Sequence, residues 1–135
     1  MGLDKKYKIV FIGSGYMNQE HIKVFKSLKN KFDVLGIKSK KNKKAKKIAK
    51  KFNIKFVCNS IKELYFKNNA DLVVIAVSEL EVKKVCLEAF KYPWKLLIEK
   101  PIGYNLNDAK TIFIEAKKKK ILDNVIIGLN RRNYV

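Results

Sequence analysis

Short apolar runs alternate with amphipathic segments along this whole chain, and this alternation limits the possible fold more than any other feature. The runs predict six strands, over residues 8–12, 32–37, 55–58, 72–76, 95–98 and 125–129. Nearly continuous apolar runs such as 72–76 are typical of parallel strands that are covered on both faces. With right-handed crossovers, we expect an α/β doubly wound parallel sheet with the strand order 3-2-1-4-5-6, in a single three-layer domain of Rossmann type.

Serines that follow two of the strands predict where helices begin. Ser60 with Glu63 matches a capping box, in which the serine side chain accepts a hydrogen bond from the backbone three residues later. Ser78 with Glu81 matches a second one, and it predicts a helix over residues 79–90 that ends before Pro93.

The charge and the cysteines restrict the class of protein. The net charge is +19, but of 31 basic residues only Arg131 and Arg132 are arginine, and the lysines are spread along the chain. A nucleic-acid groove usually adds arginines and exposed aromatic residues, so we expect no specific nucleic-acid partner. Cys58 and Cys86 fall on predicted buried elements and are interpreted as reduced core thiols.

No run approaches the ~20 apolar residues that cross a bilayer, and residues 1–6 lack a signal-peptide core. We therefore expect a cytoplasmic protein without a membrane partner.

A glycine turn directly follows the first predicted strand. The segment is Gly13-Ser14-Gly15-Tyr16-Met17, and a helix follows it. Gly13 permits a tight turn, Gly15 lets phosphate approach the backbone, and the helix N-terminus offers N–H groups and a partial positive charge. The third fingerprint position is Asn18, which we expect to loosen the contact between helix and strand. The turn predicts dinucleotide binding, and a turn in a domain that binds no nucleotide is the alternative.

The end of the second strand lacks the acid that usually reads the adenosine ribose. The run there is Lys38-Ser39-Lys40-Lys41. Since an Asp or Glu at this point selects NAD through the ribose 2′-hydroxyl, its absence favours NADP over NAD. Ser39 would bond a 2′-phosphate and Lys40 would neutralise it. A solvated lysine run that reflects only the composition is the alternative.

These segments, taken in order, resemble the Gfo/Idh/MocA oxidoreductase family, which includes glucose–fructose oxidoreductase and inositol dehydrogenase. The resemblance covers nearly all of the chain. Its most specific item is Glu99-Lys100-Pro101 at the end of the fifth strand, and the other matching segments are Gly13–Met17 with His21, 60–64, 70–76 and 128–132.

The resemblance implies redox chemistry with NADP or NAD at a hydroxyl-bearing carbon of a sugar, an inositol or a nucleotide sugar. It implies that Lys100 is catalytic, because its ammonium would orient the substrate oxygen and assist proton transfer during hydride transfer. It further implies that Glu99 points into the cofactor site, and that the cofactor contacts at this side of the cleft come from Ala76, Val77, Ser78, Glu99, Lys100 and Asn130.

The chain departs from the family pattern in ways that bear on catalysis. The family often has Thr-Pro-Asn after the fourth strand, where this chain has Val77-Ser78-Glu79. The family also has a second, α+β domain that supplies substrate contacts and usually a histidine acid/base. We expect residues 1–135 to be the NAD(P)-binding domain alone, without that second domain. His21 is the only histidine, and we interpret it as structural, on an inward stripe with Val24, Phe25 and Leu28.

The sequence thus predicts the nucleotide-binding domain of an oxidoreductase that is incomplete for catalysis by itself. Its expected partners are a dinucleotide and a sugar-like substrate, with a homo-oligomer or a separate second domain completing the site. Two alternatives stay open. One is a non-catalytic nucleotide-binding Rossmann module that acts as a sensor or subunit, and the other is a lysine-rich nucleic-acid-binding protein.

Overall fold

The strands form one six-stranded, wholly parallel sheet. In a computed structural model, which describes residues 5–128, they are β1 (Tyr7–Ile12), β2 (Phe32–Lys38), β3 (Phe56–Cys58), β4 (Leu72–Ile75), β5 (Lys95–Glu99) and β6 (Val125–Gly128). Their order across the sheet is β3-β2-β1-β4-β5-β6, and every pairing between neighbours is parallel. The predicted doubly wound α/β fold and its strand order are confirmed.

Helices cover both faces of this sheet, because alternate residues of each central strand point to opposite sides. The helices are α1 (Tyr16–Ser27), α2 (Asn42–Phe52), α3 (Ile61–Asn68), α4 (Val82–Ala89) and α5 (Leu106–Lys118), and a short 3₁₀ helix spans Leu122–Asn124. Ile9 and Phe11 of β1 join the core under α1 and α2. Val10 and Ile12 join the core under α3, α4 and α5. None of the helices within residues 5–128 combines the length and the apolarity that a membrane crossing requires.

One of the two predicted capping boxes forms and the other does not. Ser60 Oγ accepts a hydrogen bond of 3.0 Å from the Glu63 N–H, so the predicted start of α3 is confirmed. The prediction for Ser78 and Glu81 is wrong, since α4 begins only at Val82. The Glu81 N–H donates instead to the Ser78 carbonyl oxygen at 2.8 Å, because residues 79–81 form a backbone turn that takes up this donor.

The inward face of α1 also differs from the predicted stripe. The buried residues of this helix are Asn18 and Ile22, four positions apart, whereas Val24 and Leu28 are exposed.

The cysteine prediction agrees with the structure, since Cys58 and Cys86 are free and buried. Burial raises the pKa of the Cys86 thiol to about 12, so this thiol stays protonated and unreactive at neutral pH.

Candidate functional site

A cleft of about 540 Å³ lies at the carboxyl ends of the strands. The segments that follow β1, β2, β4 and β5 form its walls. The cleft opens between the neighbouring strands β1 and β4. The helix after β1 packs on one face of the sheet, and the helix after β4 packs on the other. Ligands of open α/β sheets bind at this kind of switch point.

The cleft brings together most of the site residues that the sequence predicts. Those that line it are Gly13, Ser14, Gly15, Met17, Ser39, Lys40, Ala76, Val77, Ser78, Glu99 and Lys100. Tyr16 is not part of the lining, and its side chain is largely exposed. Asn130 lies outside the described residues.

Gly13 is held in a conformation and a space that only glycine fits. Its φ is +118°, and a Cβ at this position would lie 2.0 Å from the carbonyl oxygen of Ala76. Its N–H donates to the Lys38 carbonyl oxygen at 2.8 Å. The turn after β1 is thereby fixed against the ends of β2 and β4, the two neighbours of β1.

Asn18 closes this turn, and the expectation that it loosens the contact between helix and strand was wrong. The side chain is fully buried, and its Nδ2 donates to the carbonyl oxygens of Ile12 and Gly13, both at 2.9 Å. Its position in the first turn of α1 points it at the sheet, so the amide reaches the last carbonyl groups of the strand. A small residue would leave both of these hydrogen bonds unmade.

Gly15, in contrast, faces open space at the start of α1. It is the N-cap residue, with φ −83° and ψ 179°, and a Cβ built on it has no heavy atom within 4 Å. The first N–H groups of a helix have no partner inside the helix, and they carry the positive end of its dipole. An anionic group therefore finds both room and donors beside Gly15.

The two glycines give opposite predictions for the stability of the unliganded protein. Gly13→Ala should lower the free energy of unfolding by about 3 kcal/mol or more, because it combines a positive φ with a clash against backbone. The matched variant Gly15→Ala should cost less than about 1 kcal/mol, the range for a changed N-cap residue. Urea unfolding of both variants measures the difference, and equal losses would contradict the assigned geometry of the turn.

Side chains at the end of β2 are engaged with other parts of the cleft. Ser39 Oγ donates to Ser14 Oγ at 2.7 Å, which joins this segment to the glycine turn. The Lys41 N–H donates to Ser39 Oγ at 3.2 Å. The ammonium of Lys40 lies 3.1 Å from Glu81 Oε1, on the loop between β4 and α4. Both residues predicted to read a 2′-phosphate thus line the cleft, each with a partner in the protein.

At the end of β5, the Glu99 side chain is held by His21, a contact that the sequence did not predict. His21 Nε2 donates to Glu99 Oε1 at 2.8 Å, and the two side chains are only 20% and 11% exposed. Gly128 makes room for the carboxylate, since a Cβ there would lie 2.9 Å from Glu99 Oε1. Glu99 Oε2 also accepts from the Lys100 N–H at 3.1 Å, and the Lys100–Pro101 peptide bond is cis. The structural role expected for His21 stays a prediction, and the structure adds that its ring contacts a residue of the cleft lining.

Lysines dominate the charge of the cleft. The lysines that line it are Lys38, Lys40, Lys41, Lys44, Lys84 and Lys100, against the carboxylates of Glu81, Glu88 and Glu99. The cleft is therefore suited to a polyanionic ligand. Within residues 5–128, no group of three or more His, Cys, Asp or Glu side chains is arranged to hold a metal ion.

Comparison with known families gives a match over most of the chain. The model of the Gfo/Idh/MocA family, described as an oxidoreductase family with an NAD-binding Rossmann fold, matches residues 7–127. No curated protein matches the chain.

Solved dehydrogenase structures share the fold at low sequence identity. The myo-inositol dehydrogenase of Lactobacillus casei, in complex with NAD(H) and myo-inositol, superposes with a TM-score of 0.86 at 21% identity, covering 95% of this chain and 38% of that one. The UDP-N-acetylglucosamine 3-dehydrogenase of Acidithiobacillus ferrooxidans gives 0.80 at 18% identity, covering 96% of this chain and 39% of that one. The scyllo-inositol dehydrogenase of Lactobacillus casei gives 0.82 at 17% identity, covering 96% and 38%. The chain thus spans about two fifths of the length of each of these structures.

Proposed function

Because the chain belongs to the Gfo/Idh/MocA oxidoreductase family, we propose that it is the nucleotide-binding part of an enzyme that transfers hydride between a nicotinamide dinucleotide and a hydroxyl-bearing carbon. One observation carries the proposal. A single cleft holds an open glycine turn at the N-terminus of α1 and the side chain of Lys100 at the end of β5.

The lining of the cleft offers groups that would suit each part of a dinucleotide. The space beside Gly15, which a side chain would fill, suits the pyrophosphate, with Ser14 and Met17 on the same turn. Ser39 and Lys40 would meet the adenosine ribose. The nicotinamide half would then reach the far wall, whose residues are Ala76, Val77, Ser78, Glu99 and Lys100. Tyr16 and Asn130 remain in the proposed set on sequence grounds.

Lys100 is the residue proposed to act on the substrate. The bound nicotinamide supplies the carbon that accepts or donates hydride. The Lys100 side chain is exposed in the cleft, where its ammonium would bond the substrate oxygen and assist the movement of its proton. Glu99, fixed by His21, holds the backbone N–H of Lys100 and so orients the end of β5.

The substrate is proposed to be a sugar, an inositol or a nucleotide sugar. The similar structures include dehydrogenases of myo-inositol and of UDP-N-acetylglucosamine, which supports this class. Hydride transfer needs the reacting atoms about 3–3.5 Å apart, so the substrate must be enclosed. A second domain or a second copy of the chain would supply the opposite wall. A cytoplasmic location is part of the proposal, and the two free cysteines are consistent with it.

NADPH should stabilise this domain more than NADH does. Ser39 and the lysines around it favour a 2′-phosphate, and about fivefold tighter binding at saturating ligand would raise the melting temperature by about 3 °C more. Thermal unfolding with each nucleotide at equal concentration measures this, and sodium triphosphate serves as a control for simple polyanion binding. Equal shifts with NADH and NADPH would remove the preference, and no shift with either would remove the proposed function.

The alternative of a non-catalytic nucleotide-binding module is favoured by the altered segment after β4. Val77-Ser78-Glu79 replaces side chains that the family often uses there. Both functions require nucleotide binding, so only redox turnover with a polyol or nucleotide sugar separates them. Lys100 in the cleft supports the enzyme.

A further inference from the structure

An ion pair connects two segments of the cleft lining, the one after β2 and the one before α4. Lys40 follows β2, and Glu81 lies in the loop before α4, 41 positions further along the chain. Lys40 Nζ donates to Glu81 Oε1 at 3.1 Å. The lysine side chain is 79% exposed and the glutamate side chain 31%, so the pair lies on the solvent side of the cleft lining.

Glu81 carries its negative charge among lysines of the same cleft. The hydrogen bond from Lys40 lowers the pKa of the Glu81 carboxyl, and the charges of Lys40, Lys84 and Lys38 act in the same direction. Glu81 is therefore ionised at neutral pH. Glu81 is the N-cap residue of α4, but its side chain makes no capping hydrogen bond to that helix.

We propose that Glu81 shifts the choice between NAD and NADP toward NAD, and so partly replaces the missing acid at the end of β2. This inference rests on the proposed function, because it assumes that a dinucleotide lies in the cleft with its adenosine ribose near Ser39 and Lys40.

A 2′-hydroxyl and a 2′-phosphate would interact differently with the pair of Lys40 and Glu81. A ribose 2′-hydroxyl near Lys40 can donate to the Glu81 carboxylate, which leaves the ion pair in place. A 2′-phosphate needs the Lys40 ammonium for itself, so it competes with Glu81 and lies next to a like charge. The carboxylate thus favours the hydroxyl and opposes the phosphate, the same discrimination that an acid at the end of β2 performs in other Rossmann domains.

Glu81 and the lysines around it have opposite effects on the preference for NADP over NAD. Ser39 and the lysines favour a 2′-phosphate, and Glu81 reduces that preference. The pair is solvent-exposed, and exposed ion pairs contribute little, so removing Glu81 should change the preference by about fivefold and not by orders of magnitude. We therefore expect both cofactors to bind, with a measurable change in the ratio of the affinity for NADPH to that for NADH.

The experiment compares the affinities of NADH and NADPH by titration calorimetry at one fixed salt concentration. The variants are Glu81→Gln, Lys40→Gln and the double variant. Asp33→Asn is the matched control. It changes the net charge by the same amount and breaks an exposed ion pair, Lys6–Asp33 at 3.7 Å, near the start of β2 at the opposite end of the sheet. Thermal unfolding of each variant without nucleotide verifies that it folds.

We expect Glu81→Gln to raise the affinity for NADPH relative to NADH by about fivefold, and Lys40→Gln to lower this ratio by a similar factor. In the Lys40→Gln background, the effect of Glu81→Gln should shrink to about twofold, because the two side chains act through each other. An unchanged ratio in Glu81→Gln, or a change that Asp33→Asn reproduces, would overturn the inference and leave the proposed function intact. If the unaltered protein binds neither nucleotide, the proposed function fails first and the inference fails with it.

Discussion

Gly15→Val should abolish the stabilisation of this domain by NADH and NADPH while leaving its unliganded fold intact. The Gly15 backbone has a negative φ, and no heavy atom lies within 4 Å of its Cβ position, so a valine side chain fits the protein. The same side chain would occupy the space through which a pyrophosphate reaches the first N–H groups of α1. We expect the affinity to fall by about 100-fold or more, as is usual when a ligand is excluded sterically from its donors.

Thermal unfolding with and without nucleotide measures this effect. At a concentration 100 times the dissociation constant, a ligand adds about 2.7 kcal/mol, or about 8 °C in a domain of this size, and Gly15→Val should show almost none of it. Gly15→Ala serves as the graded control, with a smaller side chain and a partial loss. If Gly15→Val binds as the unaltered protein does, the turn after β1 is not the nucleotide site.

The fold could be predicted because its determinants are local and repeated. Val73, Val74 and Ile75 of β4 are buried, as are Ala45, Ile48 and Ala49 on one side of α2, and the apolar pattern of each segment predicts this burial. A strictly alternating order of such elements leaves few topologies, since parallel crossovers are right-handed. The predicted capping box at Ser78 and Glu81 does not form. The same residues form a backbone turn instead, and this turn takes the Glu81 N–H that the box would use.

The site was less predictable because its residues meet across long stretches of chain. His21 and Glu99 are 78 positions apart, and nothing in either neighbourhood indicates their contact. The pairing of Lys40 with Glu81 likewise depends on how two loops lie over the sheet. Asn18 shows a different reason. The glycine fingerprint usually has a small residue at this point, and that pattern does not reveal that an amide here can bond the end of β1.

These contacts also explain how the end of the cleft beside Lys100 is held. Glu99 accepts hydrogen bonds from His21 on α1 and from the N–H of Lys100, so the end of β5 is connected to the helix that begins at the glycine turn. The two ends of the proposed dinucleotide site therefore share one rigid element, α1. Packing thus fixes the start of α1 relative to the Lys100 backbone, whereas the exposed Lys100 side chain would be free to follow a substrate.

Lys100→Ala should reduce redox turnover by about 10²- to 10⁴-fold and change nucleotide affinity by less than about threefold. The factor is the usual contribution of a group that transfers a proton in the transition state. The affinity should change little, because the proposed nucleotide contacts lie mainly on the glycine turn and on the segment after β2. The measurement is hydride transfer to or from a polyol or nucleotide sugar, followed by nicotinamide absorbance, with this domain joined to or mixed with a substrate-side domain.

Lys95→Ala is the matched control, since Lys95 is an exposed lysine at the opposite end of β5 and its removal changes the net charge equally. It should leave turnover unchanged. A Lys100→Ala protein that turns over at the normal rate would exclude the ammonium as the reacting group. A loss of affinity as large as the loss of turnover would make Lys100 a nucleotide-binding residue, because a group that acts only in the transition state lowers turnover without weakening the bound ground state.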